Sequence, residues 1–282
     1  MGIAGASRMT RTVVAPPSGD AYRDLAPFYD RFTADYEYDG WLTRLEALAR
    51  AHGLRGRRVL DVGCGTGKSF LPLLHRGYEV SACDLSPSMV RLAQPKVPDM
   101  RRRVFAADMR ELPEAGRFDL ITCLDDGINH LLTEADLRAA MRSVAARLSP
   151  GGLVLFDVNS LRTYHELFAS NFEMKQNGTV FRWRGGSHAR IAPGGLARTS
   201  IEIDDVAADG RRMRVRSPQR QRHHPRARIE AACRAAGLRC LSAQGQLPGG
   251  RLMGAPDDAR HTKVVYLIGR DDRRPTTERT RR

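Results

Sequence analysis

Long hydrophobic runs and aromatic residues are scarce in this sequence. Aromatic residues make up 6% of its 282 positions. Its apolar residues never run for the roughly 18–20 positions that a membrane-spanning helix needs. The first 20 residues also lack the apolar core of a signal peptide. We therefore expect a cytoplasmic protein without a membrane segment, and a disordered tail over residues 1–20.

The cysteines do not form a disulfide or metal-binding pattern. There are five, with no CxxC pair and no zinc-ligand spacing. Three of them lie in apolar segments, where a cysteine usually behaves as a small buried hydrophobic residue. The sequence thus predicts neither a disulfide framework nor a metal site. The five are Cys64, Cys83, Cys123, Cys233 and Cys240.

Lysine is also rare, although the chain is strongly basic. The formal net charge is +14, and only four of the 46 basic residues are lysine. The arginines are spread along the chain, with local density at 101–103, at 211–228 and in a basic tail at 271–282. A nucleic-acid-binding protein usually concentrates such charge beside stacking aromatic residues. The distribution argues against a nucleic-acid partner and predicts only weak, salt-sensitive binding.

Strands and helices alternate between residues 54 and 160. The predicted strands are largely apolar, which is typical of strands buried on both faces by helices. This pattern predicts an α/β fold with a doubly wound, mostly parallel sheet of seven strands. The first five strands are predicted at 58–62, 79–84, 103–106, 118–124 and 153–158, with helices near 68–76, 86–94 and 134–148.

The pattern changes to period two between residues 171 and 222. Asn177-Gly178 and Asp209-Gly210 are typical hairpin turns. We therefore predict an antiparallel β insertion after the fifth strand, over residues 161–224, that covers the substrate site. The α/β pattern returns at 225–270 with a helix and the last two strands. Residues 21–53 are predicted to form an N-terminal helical lid.

The most informative segment is the loop that follows the first strand. Residues 59–67 read VLDVGCGTG, so that Gly63, Gly65 and Gly67 follow a strand in a G-x-G-x-G pattern. Glycines at the carboxyl end of a parallel strand let a ligand lie against bare main chain. Dinucleotide-binding proteins use a different spacing, G-x-G-x-x-G, at this place. A Walker motif is excluded because Val62 occupies the position of its first glycine.

This segment resembles the class I S-adenosylmethionine-dependent methyltransferases, and the similarity continues to the turn before the fifth strand. It implies a Rossmann-like core at 54–160 in which the glycine loop contacts the methionine part of the cofactor. Asp84, at the end of the second strand, would bind the ribose, and Asp108 would bind the adenine amino group with the Met109 main chain. Asp61 would brace the loop and approach the methionine amino group. The predicted cofactor-binding residues are Asp61, Gly63, Cys64, Gly65, Gly67, Asp84, Leu85, Met89, Asp108, Met109 and Leu124.

The loop after the fourth strand faces the substrate in an open parallel sheet. Here it contains Asp125, Asp126, Asn129 and His130, which is a polar set between apolar elements. We predict Asp125 and Asn129 as substrate-binding residues, and Asp126 and His130 as catalytic ones. His130 could act as a general base near neutral pH or orient the substrate. Alternatively it could cap the following helix.

The N-terminal segment resembles the lid of small-molecule methyltransferases, including sugar N-methyltransferases. In those enzymes a tyrosine closes over cofactor and substrate, and a histidine follows the fourth strand. The resemblance implies a catalytic role for Tyr29 and a substrate contact for Tyr36, whereas Trp41 is predicted to pack in the core. The acids before His130 are not part of that pattern, so an amino-sugar substrate does not carry over.

The end of the insertion places polar donors just before a helix. Arg222 and His223 are therefore predicted to bind substrate, and a solvated basic strand is the alternative. Our leading hypothesis is a methyltransferase that uses S-adenosylmethionine to methylate an N or O nucleophile of a small molecule, in specialised metabolism. An RNA or protein methyltransferase, or a non-methylating enzyme such as a cyclase, remains open, as does a homodimer.

Overall fold

The main sheet has eight strands. Five of them, which run from the centre of the sheet to one edge, are parallel. The structure is a computed structural model that describes residues 22–271, except 187–189, 207–209 and 211. The predicted N-terminal tail, Asp209 of the second predicted turn and nearly all of the basic C-terminal tail lie outside the described residues. The strands are β1 (Arg58–Val62), β2 (Glu79–Asp84), β3 (Val104–Ala106), β4 (Phe118–Cys123), β5 (Leu148–Asn159), β10 (Leu238–Gln246), β11 (Leu252–Met253) and β12 (Lys263–Arg270), and their order is β11-β10-β12-β5-β4-β1-β2-β3.

Parallel pairing runs from β3 across to β5, and the remaining pairs are antiparallel. Strand β12 pairs antiparallel with both β5 and β10, and β11 extends the edge beyond β10. The mostly parallel α/β sheet is therefore confirmed, but the predicted count of seven strands is wrong. The additional strand, β11, has only two residues, too few for an alternating pattern to mark it in the sequence.

Helices cover both faces of this sheet because both faces of its strands are apolar. Residues of α5 and α7 pack on one face, and residues of α2, α3 and α4 pack on the other. Because the parallel strands run in the same direction, they end at the same edge of the sheet. Loops follow β1, β2 and β4 at this edge. The helices are α1 (Ala26–Phe32), α2 (Tyr38–Ala51), α3 (Leu71–His75), α4 (Pro87–Ala93), α5 (Glu134–Arg147), α6 (Leu161–Glu166) and α7 (Arg226–Ala235).

A second, antiparallel sheet lies between β5 and α7 in the chain. Its strands are β6 (Asn171–Gln176), β7 (Thr179–Gly185), β8 (Leu196–Val206) and β9 (Arg212–Arg222), in that order. The predicted hairpin turn is confirmed, since Asn177 and Gly178 join β6 to β7 with φ of 48° and 83°. Its inner face, which includes Phe181 and Ile203, packs against Phe28 of α1. The insertion therefore supports the lid helix from behind.

Among the residues that the structure describes, no helix is long and apolar enough to cross a membrane.

Gly67 tests how tightly the glycine loop is packed. Its φ is +98°, and a Cβ at this position would lie 2.9 Å from the Cζ atom of Phe70, which is fully buried. Gly116 has the same φ of +98° with nothing within 4 Å of its Cβ position. Gly116→Ala should therefore cost only backbone strain, about 1–3 kcal/mol. Gly67→Ala should cost roughly 1–3 kcal/mol more because it also overpacks the core. Urea unfolding of both variants measures this difference, and equal losses would contradict it.

Candidate active site

The glycine loop turns sharply at the carboxyl end of β1. Gly63 and Gly65 have φ of 73° and 53°, a conformation that costs glycine little. The main-chain N–H groups of Gly63 and Cys64 donate to the carbonyl oxygen of Cys83 at 2.8 and 3.0 Å. A Cβ on Gly65 would lie 3.7 Å from Tyr29 of the lid, so bare main chain faces the tyrosine ring.

A cavity of about 480 Å³ opens between this loop and the lid. Its volume is within the range of about 300–1,000 Å³ that is typical of ligand sites. Nine of the predicted cofactor-binding residues lie in its wall, together with Tyr29, Asp125 and His130. These nine are Gly63, Cys64, Gly65, Asp84, Leu85, Met89, Asp108, Met109 and Leu124.

Asp84 lies at the end of β2 and braces the loop while it faces the cavity. One carboxylate oxygen accepts from the Gly65 N–H at 2.8 Å, and the other accepts from the Ser86 N–H at 2.8 Å. Burial raises the pKa of this carboxyl. A carboxylate oxygen has more than one acceptor site, so each retains capacity for a ligand hydroxyl.

Asp108 is bound to an arginine that the sequence analysis missed. Its carboxylate accepts from Nε and Nη2 of Arg110, at 2.9 and 2.6 Å, and Arg110 extends to Asp136 at 2.7 Å. Burial opposes ionisation of Asp108, but the hydrogen bonds from Arg110 outweigh it and lower its pKa. All three residues line the cavity. The end of the cavity near β3 is thus closed by a fixed Asp–Arg–Asp bridge.

Asp61 and Gly67 lie outside the cavity wall, which corrects their predicted role as ligand contacts. The buried Asp61 carboxylate accepts from the hydroxyls of Ser69 and Thr122 at 2.5 and 2.7 Å. It therefore braces the glycine loop, which is one of the two roles predicted for it. Gly67 contacts the Phe70 ring, so its missing side chain is a packing requirement.

The loop after β4 has unusual backbone geometry. Asp125 and Asp126 are consecutive non-glycine residues with φ of 60° and 58°. The Asp157 carboxylate holds this turn by accepting from both of their main-chain N–H groups, at 2.7 and 3.0 Å. Lys263 of β12 completes the cluster, with Nζ 2.7 Å from Asp125 and 2.9 Å from Asp157. Such positive φ values in non-glycine residues are costly and often occur at functional sites.

The turn directs only one of the two aspartates to the cavity. Asp125 lines the wall, where Tyr38 donates to it at 3.2 Å. Asp126 instead accepts from Gln221 and Asn159 behind the wall. It thus lies outside the cavity wall, its catalytic role stays a prediction, and burial raises its pKa. Asn129 also lies outside the wall: it is fully buried and bridges the Arg222 carbonyl and the Asn159 N–H.

His130 lines the cavity, but its environment differs from the prediction. Its Nε2 lies 3.0 Å from the Tyr22 hydroxyl and 3.5 Å from the amide nitrogen of Gln221. Because the amide nitrogen can only donate, Nε2 is an acceptor and the Tyr22 hydroxyl donates to it. Burial lowers the pKa of His130 to about 4, well below the near-neutral value expected of a general base, so the ring is neutral at neutral pH. The capping alternative is also wrong, because Thr133 caps α5.

Three predicted substrate-binding residues lie outside the wall. The Arg222 side chain donates to the carbonyl oxygens of Leu132 and Gly194 at 2.6 and 2.8 Å. His223 is buried and accepts from the Gly194 N–H at 3.1 Å. Tyr36 is 49% exposed. These side chains hold the insertion to the core or face solvent, and their contacts with substrate stay a prediction. The described wall contains no residue of 161–224, so the insertion does not line this cavity directly.

The lid is fastened to the glycine loop by hydrogen bonds and to Lys96 by an ion pair. Asp30 of α1 accepts from the Thr66 hydroxyl at 2.5 Å and from Lys96 at 2.6 Å. Lys68 donates to the carbonyl oxygens of Asp30 and Thr33. This fixes α1, and with it Tyr29, over the loop.

Sequence reasoning missed two lid tyrosines and Arg110. Tyr22 and Tyr29 both line the cavity, with ring centroids 6.2 Å apart. Their spacing of seven residues places them on one helical face, a signal that could have found Tyr22. Tyr38 carried no such signal. Within the described ranges, no group of three or more histidine, cysteine or acidic side chains could hold a metal ion.

The protonation state of His130 can be measured directly. The ring should titrate with a midpoint near 4, below the 6.5 of an unfolded histidine, because burial penalises the charged form. Between these two pH values the unfolded state binds more protons, so stability should fall as pH falls through this window. The measurement is a proton NMR titration of the histidine resonances, with His130→Gln to assign the ring. A midpoint at 6.5 or above would contradict the expected burial.

A family model and several known proteins match parts of this chain. Residues 59–152, which run from β1 into β5, match a family model described as "Methyltransferase domain". The Bacillus subtilis protein YqeM is 34% identical over 166 residues, which are 58% of this chain and 66% of that protein. The dTDP-3-amino-3,6-dideoxy-alpha-D-glucopyranose N,N-dimethyltransferase of Streptomyces fradiae is 31% identical over 148 residues, which are 52% of this chain and 57% of that enzyme.

The overall fold has a close structural counterpart. An S-adenosylmethionine-dependent methyltransferase from Clostridium acetobutylicum superimposes with a TM-score of 0.71 over 88% of this chain and 98% of that one, at 22% identity. That likeness shows the fold alone. The sequence matches span 57% to 66% of the length of the curated relatives. Residues 59–152, with their glycine loop at the carboxyl edge of a mostly parallel sheet, thus match a methyltransferase domain, and the chain is similar to S-adenosylmethionine-dependent methyltransferases.

Proposed function

We propose that this protein transfers a methyl group from S-adenosylmethionine to a nitrogen or oxygen nucleophile of a small-molecule metabolite. The observation that carries the proposal is a single cavity with two different ends. One end is formed by the glycine loop, Asp84 and Asp108, and the other by lid tyrosines, Asp125 and His130. A donor and an acceptor can therefore meet beneath one lid.

The residues at the first end fit the cofactor. Gly63 and Gly65 leave space along the main chain for its amino acid part, and Asp84 retains acceptor capacity for its ribose hydroxyls. We assign the adenine to Asp108 and Arg110, which also line the cavity. When bound, S-adenosylmethionine supplies an electrophilic methyl group, which an acceptor lone pair takes as the carbon–sulfur electron pair returns to sulfur.

The chain itself contributes alignment more than acid–base chemistry. Positioning alone can account for about 7–11 kcal/mol of a reaction barrier. We propose that Tyr29, held over the glycine loop, aligns the acceptor, and that neutral His130 orients it through the Tyr22 hydroxyl. An amine acceptor would attack as the neutral base, form the N-methylammonium product and then release its proton to water.

A small acceptor is favoured over a macromolecule by the lid. Asp30 and Lys68 hold the lid to the core beside the glycine loop, so that Tyr22, Tyr29 and Tyr38 line the cavity. An RNA base or protein side chain would have to enter past these lid residues. The curated relatives include an enzyme named for a sugar-nucleotide amine, which is consistent with a small acceptor.

The proposed function can be tested with donor carrying an isotopically labelled methyl group. The protein and labelled S-adenosylmethionine are incubated with a bacterial extract that is then separated into small molecules, protein and RNA. We expect the label in the small-molecule fraction, and calorimetric binding of the demethylated product, S-adenosylhomocysteine. Label in RNA or protein, or failure to bind the product, would refute the proposal.

Asp84→Asn should weaken binding of S-adenosylhomocysteine by roughly 1–3 kcal/mol, because a charge-assisted contact to the ribose is lost. Isothermal titration calorimetry measures the change. Asp119→Asn is the matched control, since Asp119 also accepts a main-chain hydrogen bond, from Arg58 at 3.0 Å, but lies outside the cavity wall. Equal affinities for the Asp84 variant and the unaltered protein would show that the ribose lies elsewhere.

A further inference from the structure

The acceptor end of the cavity has an excess of negative charge. Among the described residues, Lys263 provides the one ammonium group within 4 Å of the three neighbouring carboxylates, those of Asp125, Asp126 and Asp157. Burial raises the pKa of Asp126 and of Asp157, and the Lys263 ammonium opposes that rise in both. Three carboxyl groups thus share one ammonium. This end of the cavity therefore has a negative potential.

Lys263 itself lies outside the described wall, and the lysine and arginine residues within that wall are already engaged. Lys68 donates to two carbonyl oxygens of the lid, and Arg110 is bound by Asp108 and Asp136. Both lie toward the end formed by the glycine loop and β3. Within the described wall, an anionic acceptor such as a carboxylate or phosphate thus finds no cationic partner near Asp125.

The geometry of the turn fixes Asp125 toward the cavity. Asp157 accepts from both main-chain N–H groups of the turn, and Lys263 holds one Asp125 oxygen at 2.7 Å. The other oxygen accepts from the Tyr38 hydroxyl at 3.2 Å and faces the aromatic lid. A carboxylate oxygen can accept a further hydrogen bond, so a ligand N–H can bind there. Aromatic faces nearby also favour a cation.

We propose, on the basis of the proposed methyl transfer, that Asp125 is a specificity-determining residue that selects an amine as the methyl acceptor. The protonated amine pairs with the Asp125 carboxylate and packs against the lid tyrosines. After it loses one proton to water, the neutral amine still donates an N–H to Asp125. Its lone pair is then directed away from the carboxylate and is available to the methyl group. Acceptors that are anions are excluded by charge.

The experiment compares three probes of similar shape on the protein saturated with S-adenosylhomocysteine. They are benzylamine, benzyl alcohol and benzoate, and binding is measured by ligand-observed NMR. We expect benzylamine to bind at least tenfold more tightly than benzyl alcohol, and benzoate to bind least. This comparison needs no variant. An amine that binds no better than the alcohol, or a preference for benzoate, would overturn the inference.

Two isosteric variants locate the preference. Asp125→Asn should reduce the preference for benzylamine to about that for the alcohol and leave the affinity for S-adenosylhomocysteine within twofold. Asp126→Asn makes the same chemical change in the next residue, whose carboxylate is bound by Gln221 and Asn159, and should retain most of the preference. Thermal unfolding checks that both variants fold.

The remaining outcomes separate this inference from the proposed function. Equal losses of amine preference in the two variants would show that the amine responds to the total charge of the cluster. That result would overturn a direct contact with Asp125. A tenfold loss of product affinity in Asp125→Asn would assign this carboxylate to the cofactor's own amino group, and would also overturn it. Failure of the unaltered protein to bind S-adenosylhomocysteine would refute the proposed function instead. The probes applied to the protein alone would then still decide the amine preference.

Discussion

The ammonium group of Lys263 joins three parts of the sheet at its carboxyl edge. It lies on β12, contacts Asp157 on β5 and reaches Asp125 in the loop after β4. Removing one partner from such a buried cluster typically costs about 3–5 kcal/mol, because the remaining charges are left unpaired. The same contacts hold two consecutive residues at positive φ, a strained turn that would otherwise relax. The position of the acceptor end therefore depends on this ion cluster.

Burial around the cluster determines which groups can carry charge. His130 contacts the Tyr22 hydroxyl and the Gln221 amide, and burial lowers its pKa to about 4. A neutral imidazole can accept a hydrogen bond and orient a hydroxyl, but it is a weak base. In the proposed function, charge at this end is thus held by aspartates, and the lid tyrosines align the acceptor. This division suits a reaction in which the electrophile arrives already activated and the main requirement is geometry.

The cofactor end could be predicted from the sequence because it is built from contiguous segments. The glycine loop, Asp84 and Asp108 each follow a strand directly, so the position of the strand fixes the position of the side chain. The acceptor end could not be predicted in the same way. Asp125 and Asp126 are adjacent and identical in type, and only the left-handed turn separates their directions. Lys263 is 138 residues from Asp125 in the chain, and the pKa of His130 depends on burial by distant segments. The partners of Arg222 and His223, which include Leu132 and Gly194, could not be predicted either, because the tertiary fold brings them together.

The cofactor end and the acceptor end also differ in how far they lie within the family match. The family match covers residues 59–152, which contain the glycine loop, Asp84, Asp108 and the turn after β4. Lys263 lies beyond it on β12, and the lid tyrosines precede it. In the proposed function, the donor site therefore lies in the shared segment, while the surroundings of the acceptor come from segments on either side. The insertion packs behind α1, and its Gln221 contacts Asp126 and His130, although no described residue of the insertion lies in the cavity wall. The proposed function consequently implies that a change of acceptor can arise in the lid, in β12 or in the insertion while the donor site is kept.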